Sequence, residues 1–535
     1  MNTLREFVEY KLTHCDKTAE ANGYPLTMQN CKKNKKMRQL ELYGNSVQDG
    51  TPTPDAPIDV VSVGEKSVNL FDKDKAENGT IVSETGINQD IVNRARTSYM
   101  YLVAGSYVCS MKNGIQTGAY IHTYSEANEN SWIKYIVAKR TVTDGKCVTT
   151  FTLQSDCYVR FAFIPIDSTV VTNLDTEFIS QCDIMLTEGS TATPYEPFGK
   201  YKIPVVMRGK NLIDIDMGLV KETTTSGYTS LAKNLDGTYT LNMTNSSRSS
   251  DFIPFNIPKG AQVTFSVNIK ENDSGDLIVL FYNKNGALIK EVRCWGVRSG
   301  NYKDTFTTTD DLVNIRVTML YDSIAGTHIT FENIQIEYGN TVTPYEPYVE
   351  PITTNIFLDE PLRKLGDYAD YIDFKENKVV RKCVKKYLKD YDWLEYRTLT
   401  DGDGVHYDLY CNDNSIIPSM INQVNLWSPA IAKSNIFPIY ATYENDKIHF
   451  GIILWTWTMN VRVNFPQEYC ADTSNVIASF KAWLNEYNPY MVRVLAEPVI
   501  ESLNIDLPKL NAKTSIIEVD TSILPANAYG KYILK

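Results

Sequence analysis

Aromatic side chains are the residues of this chain whose type and number point most directly to a chemistry. The sequence has 34 tyrosines and 7 tryptophans among 535 residues, more than packed cores usually need. Proteins bind sugars by stacking apolar C–H faces on such rings while polar groups bond the hydroxyls. The candidate glycan-contact residues are Tyr120, Tyr124, Trp132, Tyr135, Tyr282, Trp295 and Tyr321. The alternative is that these rings pack in a core or in a subunit interface.

No catalytic or metal-binding motif accompanies the rings. No two of the five histidines fall within metal-ligand spacing, and HExxH, GxSxG, a Walker loop and GxGxxG are absent. Carboxylate pairs are uninformative because 64 acidic residues always supply some. The run Asp401-Gly402-Asp403-Gly404 resembles the start of a calcium loop but lacks its later carboxylates, so it predicts a plain turn. We expect no enzyme, no metal and no cofactor, and a structural calcium ion has no support in the sequence.

Composition and charge indicate a folded protein that does not bind nucleic acid. A chain of 535 residues, 43% hydrophobic and 22% charged, is expected to divide into three or four domains. Its net charge of −11 would repel phosphate backbones. The one basic cluster, residues 32–38, predicts a solvated hairpin tip.

The sequence contains no recognisable targeting signal and no cysteine motif that points to a function. No run reaches the roughly 18 apolar residues of a membrane span, and residues 1–10 lack the apolar core of a signal peptide, which predicts a chain made and kept in a cytoplasm until something else releases it, without a membrane partner. The ten cysteines form no CxxC pair and match no zinc spacing, which predicts reduced, buried thiols. A pairing of Cys147 with Cys157 across a hairpin stays open.

A long internal repeat organises the elements that must position the rings. The passage from Glu188 to Phe198 recurs from Glu337 to Tyr348, and both copies contain Thr-Pro-Tyr-Glu-Pro. The passages that open the copies are also alike, with Asn69-Leu70-Phe71-Asp72 matching Asn211-Leu212-Ile213-Asp214. A repeat of this length predicts two copies of one whole domain. We name them module 1 (64–200) and module 2 (201–349).

Each module alternates in the strand period of two. Seven short strands are predicted in module 1 and six in module 2, with turn residues between them, which is typical of a jelly-roll β-sandwich. The Thr-Pro-Tyr-Glu-Pro run is expected to end the last strand through its prolines, and its tyrosine is expected to plug the open end of the sandwich.

The two ends of the chain have a different texture. Residues 1–63 predict a helix with Leu4, Phe7, Val8 and Leu12 on one face, a hairpin of 25–28 with 39–43, and a Pro-rich connector over 44–57. Residues 350–535 predict a β-rich (α+β) domain. It contains hairpins across Glu376-Asn377 and 401–404, a strand-rich run over 448–465, one amphipathic helix near 473–487, and closing strands at 490–495 and 514–519. The expected fold is therefore mainly β, with two tandem jelly-roll sandwiches between a small N-terminal region and a C-terminal domain.

Several of these motifs resemble a known family. The run from Leu42 to Pro54, followed by Val63-Gly64 and Asn69-Leu70-Phe71, resembles the opening of tail and baseplate proteins of phages that infect Gram-positive bacteria. The Thr-Pro-Tyr-Glu-Pro endings, Pro361-Leu362-Arg363-Lys364-Leu365-Gly366-Asp367 and Ala496-Glu497-Pro498 are similar to later parts of that family. The resemblance covers most of residues 39 to 520, and its motifs are scaffold motifs.

The resemblance implies a receptor-binding protein of the virion. It implies jelly rolls similar to carbohydrate-binding modules, a homotrimer at the tail tip or baseplate, and as partners other tail or baseplate proteins and a host cell-wall glycan. The N-terminal helix and hairpin are the expected attachment region. Two other hypotheses remain: a structural tail protein that binds no sugar, and a wall-polysaccharide depolymerase.

Overall fold

The computed structural model describes most of the chain. The described residues are 25–31, 38–112, 117–136, 138–143, 146–165, 173–219, 231–242, 250, 252–257, 259–273, 275–319, 327–374, 376–393, 395–401, 404–412, 432–439, 451–455, 460–503, 514–520 and 529–534. These residues form a mainly β structure of forty strands and two α-helices. The predicted N-terminal helix and residues 32–37 of the basic cluster lie outside them, whereas Arg38 begins a strand.

The strands before module 2 are mostly short. The N-terminal region contributes β1 (Pro25–Cys31), β2 (Arg38–Tyr43), β3 (Ser46–Val47) and β4 (Val61–Ser62). Module 1 contributes β5 (Glu65–Lys66), β6 (Ala76–Asn78), β7 (Thr80–Ile81), β8 (Asn88–Gln89), β9 (Ala95–Thr97), β10 (Met100–Leu102), β11 (Gly105–Lys112), β12 (Thr117–Tyr124), β13 (Trp132–Ile136), β14 (Lys139–Thr143), β15 (Lys146–Leu153), β16 (Cys157–Pro165), helix α1 (Thr176–Gln181) and β17 (Ile184–Glu188).

The later strands are longer. Module 2 contributes β18 (Tyr201–Gly209), β19 (Leu231–Lys233), β20 (Tyr239–Asn242), β21 (Ile253–Ile257), β22 (Gln262–Asn272), β23 (Leu277–Tyr282), β24 (Leu288–Cys294), β25 (Gly300–Thr307), β26 (Leu312–Met319) and β27 (His328–Tyr338). The C-terminal region contributes β28 (Ile352–Leu358), β29 (Lys364–Leu365), β30 (Tyr368–Ala369), β31 (Tyr371–Asp373), β32 (Lys378–Tyr387), β33 (Glu395–Asp401), β34 (Gly404–Asn412), β35 (Ala432–Ser434), β36 (Gly451–Trp455), β37 (Asn460–Pro466), helix α2 (Val476–Tyr487), β38 (Tyr490–Ser502), β39 (Thr514–Asp520) and β40 (Tyr529–Leu534).

Module 1 is a sandwich of two antiparallel sheets. Residues 65–202, with 357–360, form one of the two compact units of the chain. One sheet has the order β13-β12-β16-β9-β6, with β10 also on β16, and the other has the order β14-β15-β11-β17. Alternate side chains of both sheets fill the core between them, where Phe71, Phe151, Phe161 and Phe163 make edge-on and stacked contacts. The alternation of apolar and polar residues along each strand therefore gives each sheet one apolar face, which packs in the core.

Module 2, which belongs to the other unit, repeats this strand order. Its sheets run β24-β23-β26-β21 and β25-β22-β27-β20-β19. The strands β22, β23, β26 and β27 take the places that β11, β12, β16 and β17 take in module 1. The differences lie at the edges, because module 1 adds β14 beside β15 and module 2 adds β19 and β20 beside its last strand. The prediction of a mainly β chain with two jelly-roll-like sandwiches is confirmed.

One asparagine closes each sandwich in the same way. Asn69 Oδ1 accepts hydrogen bonds from the backbone N–H groups of Phe71 and Leu186, at 3.0 Å each, and its Nδ2 donates to Ile184 O at 2.9 Å. In module 2, Asn211 Oδ1 accepts from the N–H groups of Ile213 and Ile336 at 3.3 and 3.1 Å, and Nδ2 donates to Ile334 O at 3.1 Å. The two passages that repeat in sequence are thus bonded to each other in space.

A glycine, and not a proline, ends the last strand of each module. Gly189 and Gly339 have φ of +120° and +107°, a region that residues with a Cβ rarely adopt, and they lie before the prolines. Their N–H groups bond Ser106 O and Gln262 O, at 2.8 Å each. The predicted role of the prolines is therefore wrong, since the strands end several residues earlier.

The repeated glutamate, and not the tyrosine, is the more deeply buried member of Thr-Pro-Tyr-Glu-Pro, since Glu196 is buried and the side chain of Glu346 is 12% exposed. Tyr345 is 41% exposed, so it does not plug its sandwich. Glu196 lies 2.8 Å from Lys202 Nζ, and Glu346 lies 3.3 Å from Lys210 Nζ. Lys210 also donates to Pro344 O, so that a buried ion pair fastens the repeated segment to the start of its own module.

The N-terminal strands belong to the C-terminal domain. Strand β2 lies between β31 and β40 in the sheet β35-β38-β32-β31-β2-β40, whereas β1 pairs with β39 in another sheet. The predicted β1–β2 hairpin is therefore wrong, because long-range partners take both strands. Residues 38–63 lie in this domain rather than in a region of their own, and Val63 bridges to Leu362. Gly44 packs so closely that a Cβ would lie 2.5 Å from Leu362 C.

The C-terminal domain contains the predicted hairpins and helix. Strands β31 and β32 pair next to Asn377, which has φ +49°, and β33 pairs with β34 across 401–404. The strand-rich run over 448–465 is two paired strands, β36 and β37. Helix α2 is capped by Asn475, which accepts from Ala478 N at 3.3 Å, rather than by residues 472–474. Its face packs Phe480 and Trp483 against Trp393 and Phe465.

The described cysteines are reduced. All eight of them are free and buried, as predicted. Cys147 lies on β15 and Cys157 on β16, in opposite sheets of module 1, so they do not face each other across a hairpin. No helix among the described residues is both long enough and apolar enough to cross a bilayer.

Candidate functional site

The four predicted rings of module 1 come from one face of one sheet. On β12, Ile121 points into the core while Tyr120, His122 and Tyr124 point to the opposite side, the outer face. Cross-strand partners share a face, and Tyr135 pairs with His122 while Trp132 pairs with Tyr124. The structure therefore brings Tyr120, Tyr124, Trp132 and Tyr135 together.

Two of these rings are covered by the hairpin of β7 and β8. The hydroxyl of Tyr124 is buried and donates to Gly86 O at 2.7 Å. A Cβ on Gly86 would lie 2.2 Å from Cδ1 of Trp132, so this hairpin packs directly on the indole, whose Nε1 is buried. Tyr124 and Trp132 are therefore packing residues in this conformation.

The other two rings form a half-buried stacked pair. The centroids of Tyr120 and Tyr135 are 5.3 Å apart with an interplanar angle of 19°, and burial raises the pKa of Tyr135 to about 12. Beside them His122 is fully buried, and neither ring nitrogen has a hydrogen-bond partner among the described residues. Burial, and secondarily the Arg160 charge, lower the pKa of His122 to about 4, so the imidazole is neutral at pH 7.

The three predicted rings of module 2 are not brought together. Tyr282 ends β23 and pairs with Leu288, whereas Trp295 follows Cys294, which pairs with Leu277 at the other end of the same hairpin. Trp295 is 71% exposed and stacks on Arg293, with Cζ 4.4 Å from the ring centroid. Tyr321 lies outside the described residues.

A cluster that the sequence analysis missed is present in both modules. In module 1, Arg160 lies under Tyr99, with Cζ 4.6 Å from the centroid, and Tyr99 meets Tyr124 edge-on at 5.0 Å. In module 2, Arg316 lies under Phe252 at 4.0 Å, and Phe252 meets Tyr282 edge-on at 5.3 Å. We name this arrangement the arginine–aromatic cluster. In each module it joins two strands to a residue beside a third strand, and these segments are distant in sequence, so no local pattern could reveal it.

The hydrogen bonds show that the two clusters are equivalent. Thr97 Oγ1 accepts from Phe161 N at 2.9 Å, and Ser250 Oγ accepts from Val317 N at 3.0 Å. Tyr99 and Phe252 each follow that hydroxyl residue by two positions. Arg160 and Arg316 each precede the bonded N–H by one. The cluster is thus a duplicated feature of the fold.

The clusters differ in exposure. In module 1 Arg160 is 2% exposed and donates to Thr97 O at 2.7 Å and to Asn88 Oδ1 at 2.8 Å. In module 2 Phe252 is 47% exposed, and Arg316 and Tyr282 are half-buried. Nε of Arg316 has no hydrogen-bond partner among the described residues. That Nε is itself buried, so the module 2 cluster offers a ligand the exposed ring of Phe252 beside a half-buried guanidinium group.

A cleft of about 280 Å³ adjoins the module 2 cluster. Pro254, which lines the cleft, follows Phe252 by two positions and so lies on the same face of the sheet. Pro254 pairs with Asn314 on the neighbouring strand, and Asn314 pairs with Tyr282 on the next strand. Burial, with Glu350 nearby, raises the pKa of Tyr348 to about 12. The cleft is lined by Arg208, Asn211, Leu212, Pro254, Asn256, Val313, Tyr348 and Pro351. Ring, cleft and polar groups form one surface along β21.

Two other groups of charged residues, around His328 and around Asp408, form ion pairs. His328 Nδ1 lies 2.6 Å from Asp273 and Nε2 lies 3.6 Å from Glu271, and their ligand atoms are within 4.8 Å of one another. Both carboxylates are exposed, so this cluster is accounted for as a surface ion pair. The buried Asp408 is held by Arg397 at 2.7 Å and Arg462 at 3.4 Å. Neither group has the layout of a catalytic pair.

Comparison with known proteins gives only distant structural similarity. No protein-family model matches the sequence, and no curated protein matches it. The tandem CBM22-1-CBM22-2 domain of Paenibacillus barcinonensis Xyn10C is similar over 59% of this chain and 98% of its own, with 8% identity and a TM-score of 0.21. The infectious bursal disease virus Gx strain structure covers 62% and 70%, with 10% identity and a TM-score of 0.15. Such scores carry no argument about ligand or activity.

Proposed function

We propose that this chain is a non-enzymatic surface-recognition protein that binds a glycan on the outer face of module 2. The observation that carries the proposal is the exposed arginine–aromatic cluster next to a cleft with amide, guanidinium and phenol groups. A ring stacks on the apolar face of a sugar, and the donors around it bond hydroxyl or ring oxygens. Phe252 serves as the platform and Arg316 as the donor.

The sequence resemblance supports a place for this protein in a virion. Residues 39–520 resemble tail and baseplate proteins of phages that infect Gram-positive bacteria, so we propose a location at the tail tip or baseplate, with other tail proteins as partners. A homotrimer would array three copies of the module 2 surface. Arrayed weak sites bind a repetitive cell wall far more tightly than one site does.

The competing function is a tail scaffold that binds no sugar. The closed outer face of module 1 favours it, because Tyr124 and Trp132 are used there for internal packing. A wall-polysaccharide depolymerase has no supporting observation among the described residues. Release of reducing sugar from purified walls would overturn the non-enzymatic assignment.

Sedimentation with purified Gram-positive cell walls tests the proposal. The full chain is incubated with a panel of protease-treated walls, before and after chemical removal of their polysaccharide. We expect binding to at least one wall, lost with the polysaccharide and weakened by about tenfold or more in Phe252→Ala and Arg316→Met, the loss of roughly one good contact.

Trp295→Ala is the matched control. It removes another exposed ring stacked on an arginine of the same module, but from the far end of the β23–β24 hairpin. It is expected to bind as the parent does. If no wall binds the parent protein, or if the three variants weaken binding equally, the module 2 site is refuted and the scaffold function is favoured.

A further inference from the structure

The arginine–aromatic cluster of module 1 is closed by a segment of the chain itself. We name residues 80–89, which contain β7 and β8, the cap hairpin. Its turn is closed by the bonds Val82 N to Ile87 O at 2.9 Å and Gly86 N to Val82 O at 2.8 Å. In module 2 the equivalent ring, Phe252, is exposed. The same cluster is therefore covered in one copy and open in the other.

The cap hairpin meets the outer face through hydrogen-bond acceptors. Gly86 O accepts from Tyr124 Oη at 2.7 Å, Asn88 Oδ1 accepts from Arg160 Nη1 at 2.8 Å, and Gln89 O accepts from Arg96 Nη1 at 3.2 Å. In each of these bonds the sheet provides the donor. The oxygens of a polyhydroxylated ligand offer the same pattern to such a surface.

The cap hairpin has little apolar anchorage. Only Thr80, Ile81 and Gly86 are buried along it, and Ile87 is exposed. Gly79 and Asn93, with φ of +122° and +66°, stand at its two ends. The cap hairpin is also held by Glu129, which is not among the residues of the outer face named above. The Glu129 carboxylate accepts hydrogen bonds from Asn88 N, at 3.2 Å, and from Asn88 Nδ2. A segment held mainly by hydrogen bonds opens at a lower free energy than a packed strand does.

We propose that the cap hairpin occupies a second ligand site in module 1. The site is formed by Tyr99, Tyr124 and Arg160, and its ligand is the same acceptor-rich glycan class that module 2 takes. The inference rests on the function proposed for module 2. Displacement of the hairpin exposes the rings and frees the donors that Gly86 and Asn88 occupy.

Two variants open the hairpin without altering the proposed site. Gly86→Val forces a side chain into Trp132, and Glu129→Ala removes the acceptor that holds Asn88. Gly199→Val is the matched control for the first, because Gly199 has φ +70° against +71° for Gly86 but has nothing within 4 Å of its Cβ position. Both substitutions therefore place a Cβ at nearly the same positive φ, and they differ in whether that Cβ meets another atom.

The binding assay uses a full chain whose module 2 site is silenced by Phe252→Ala and Arg316→Met. The probe is the cell-wall polysaccharide that the parent binds, and hydrogen exchange over residues 79–94 reports whether the hairpin is open. We expect Gly86→Val and Glu129→Ala to speed exchange and to restore binding by about tenfold over the silenced chain. Gly199→Val is expected to do neither.

Two results would overturn the second site. One is fast exchange in the hairpin without restored binding. The other is a hairpin that stays protected in both variants, which would make it a fixed part of the fold. Both of these results differ from a failure of the module 2 proposal. That failure would appear as absent binding in the parent chain, before any hairpin variant is made.

Discussion

Asn211 joins the segment after β18 to the last strand of module 2, β27, with hydrogen bonds that match three of those that Asn69 makes in module 1. Asn211→Ala would leave three buried backbone groups without partners, at roughly 1 to 3 kcal/mol each in the worst case. We expect a loss of about 3 kcal/mol in the free energy of unfolding of module 2, measured by denaturant-dependent hydrogen exchange. Asn301→Ala, on the exposed edge strand β25, is the control and should change little.

The buried pair of Lys210 and Glu346 is expected to behave as a coupled unit. The Lys210 side chain is 3% exposed and that of Glu346 is 12% exposed, so Lys210→Met, which removes a largely buried cation from this pair, is expected to cost about 3 kcal/mol. Adding Glu346→Gln should recover a large part of that loss, because both charges of the pair are then removed. Denaturant unfolding of the two single variants and the double variant checks this. Additive effects would show that the ion pair is not coupled.

His122 is expected to make module 1 sensitive to acid. Its folded pKa of about 4 lies below the ordinary histidine value of 6.5, so the unfolded chain binds the proton first as pH falls. The stability present above pH 6.5 is therefore lost between pH 6.5 and 4, by about 3 kcal/mol in all. His122→Leu, which removes no hydrogen bond, should unfold like the parent at pH 7 and be more stable by about 2 kcal/mol at pH 5. An equal difference at both pH values would contradict this.

The two tryptophans that the sequence nominated as glycan platforms are expected to have unrelated effects. Trp132 packs under Gly86, so Trp132→Ala should destabilise module 1 by about 2 kcal/mol or more. Trp295 is mostly exposed, so Trp295→Ala should change the free energy of unfolding by less than about 0.5 kcal/mol. Hydrogen exchange of the intact variants measures both. A larger loss in Trp295→Ala would show that its stacking on Arg293 supports the fold.

Local patterns predicted much of the architecture and less of the candidate site. Strand alternation and the internal repeat predicted the two sandwiches, and the apolar spacing of Val476, Phe480 and Trp483 predicted helix α2. Both predictions were possible because apolar periodicity is a property of residues close together in sequence. The partners of β1 and β2 could not be predicted, since strand pairing between distant segments leaves no local signal.

The site shows the same division. Aromatic content singled out Tyr120, Tyr124, Trp132 and Tyr135 as candidates, but their position on one face depends on strand pairing. The burial of Tyr124 and Trp132 beneath the cap hairpin is likewise a tertiary property. Tyr99, Phe252, Arg160 and Arg316 were missed because aromatic and arginine residues are too common for any one to be singled out. Only the shared hydrogen bonds of Thr97 and Ser250 show that these residues form one duplicated feature.

The position of β2 between β31 and β40 has a consequence for synthesis. Tyr43 pairs with Tyr529, and 486 residues (529 minus 43) separate them. At translation rates of roughly 5 to 20 residues per second, β2 emerges from the ribosome at least about 20 seconds before β40 exists. Both modules are synthesised in that interval, while one edge of β2 still lacks its partner strand. Until residues 529–534 are made, that edge is open to pairing with another chain.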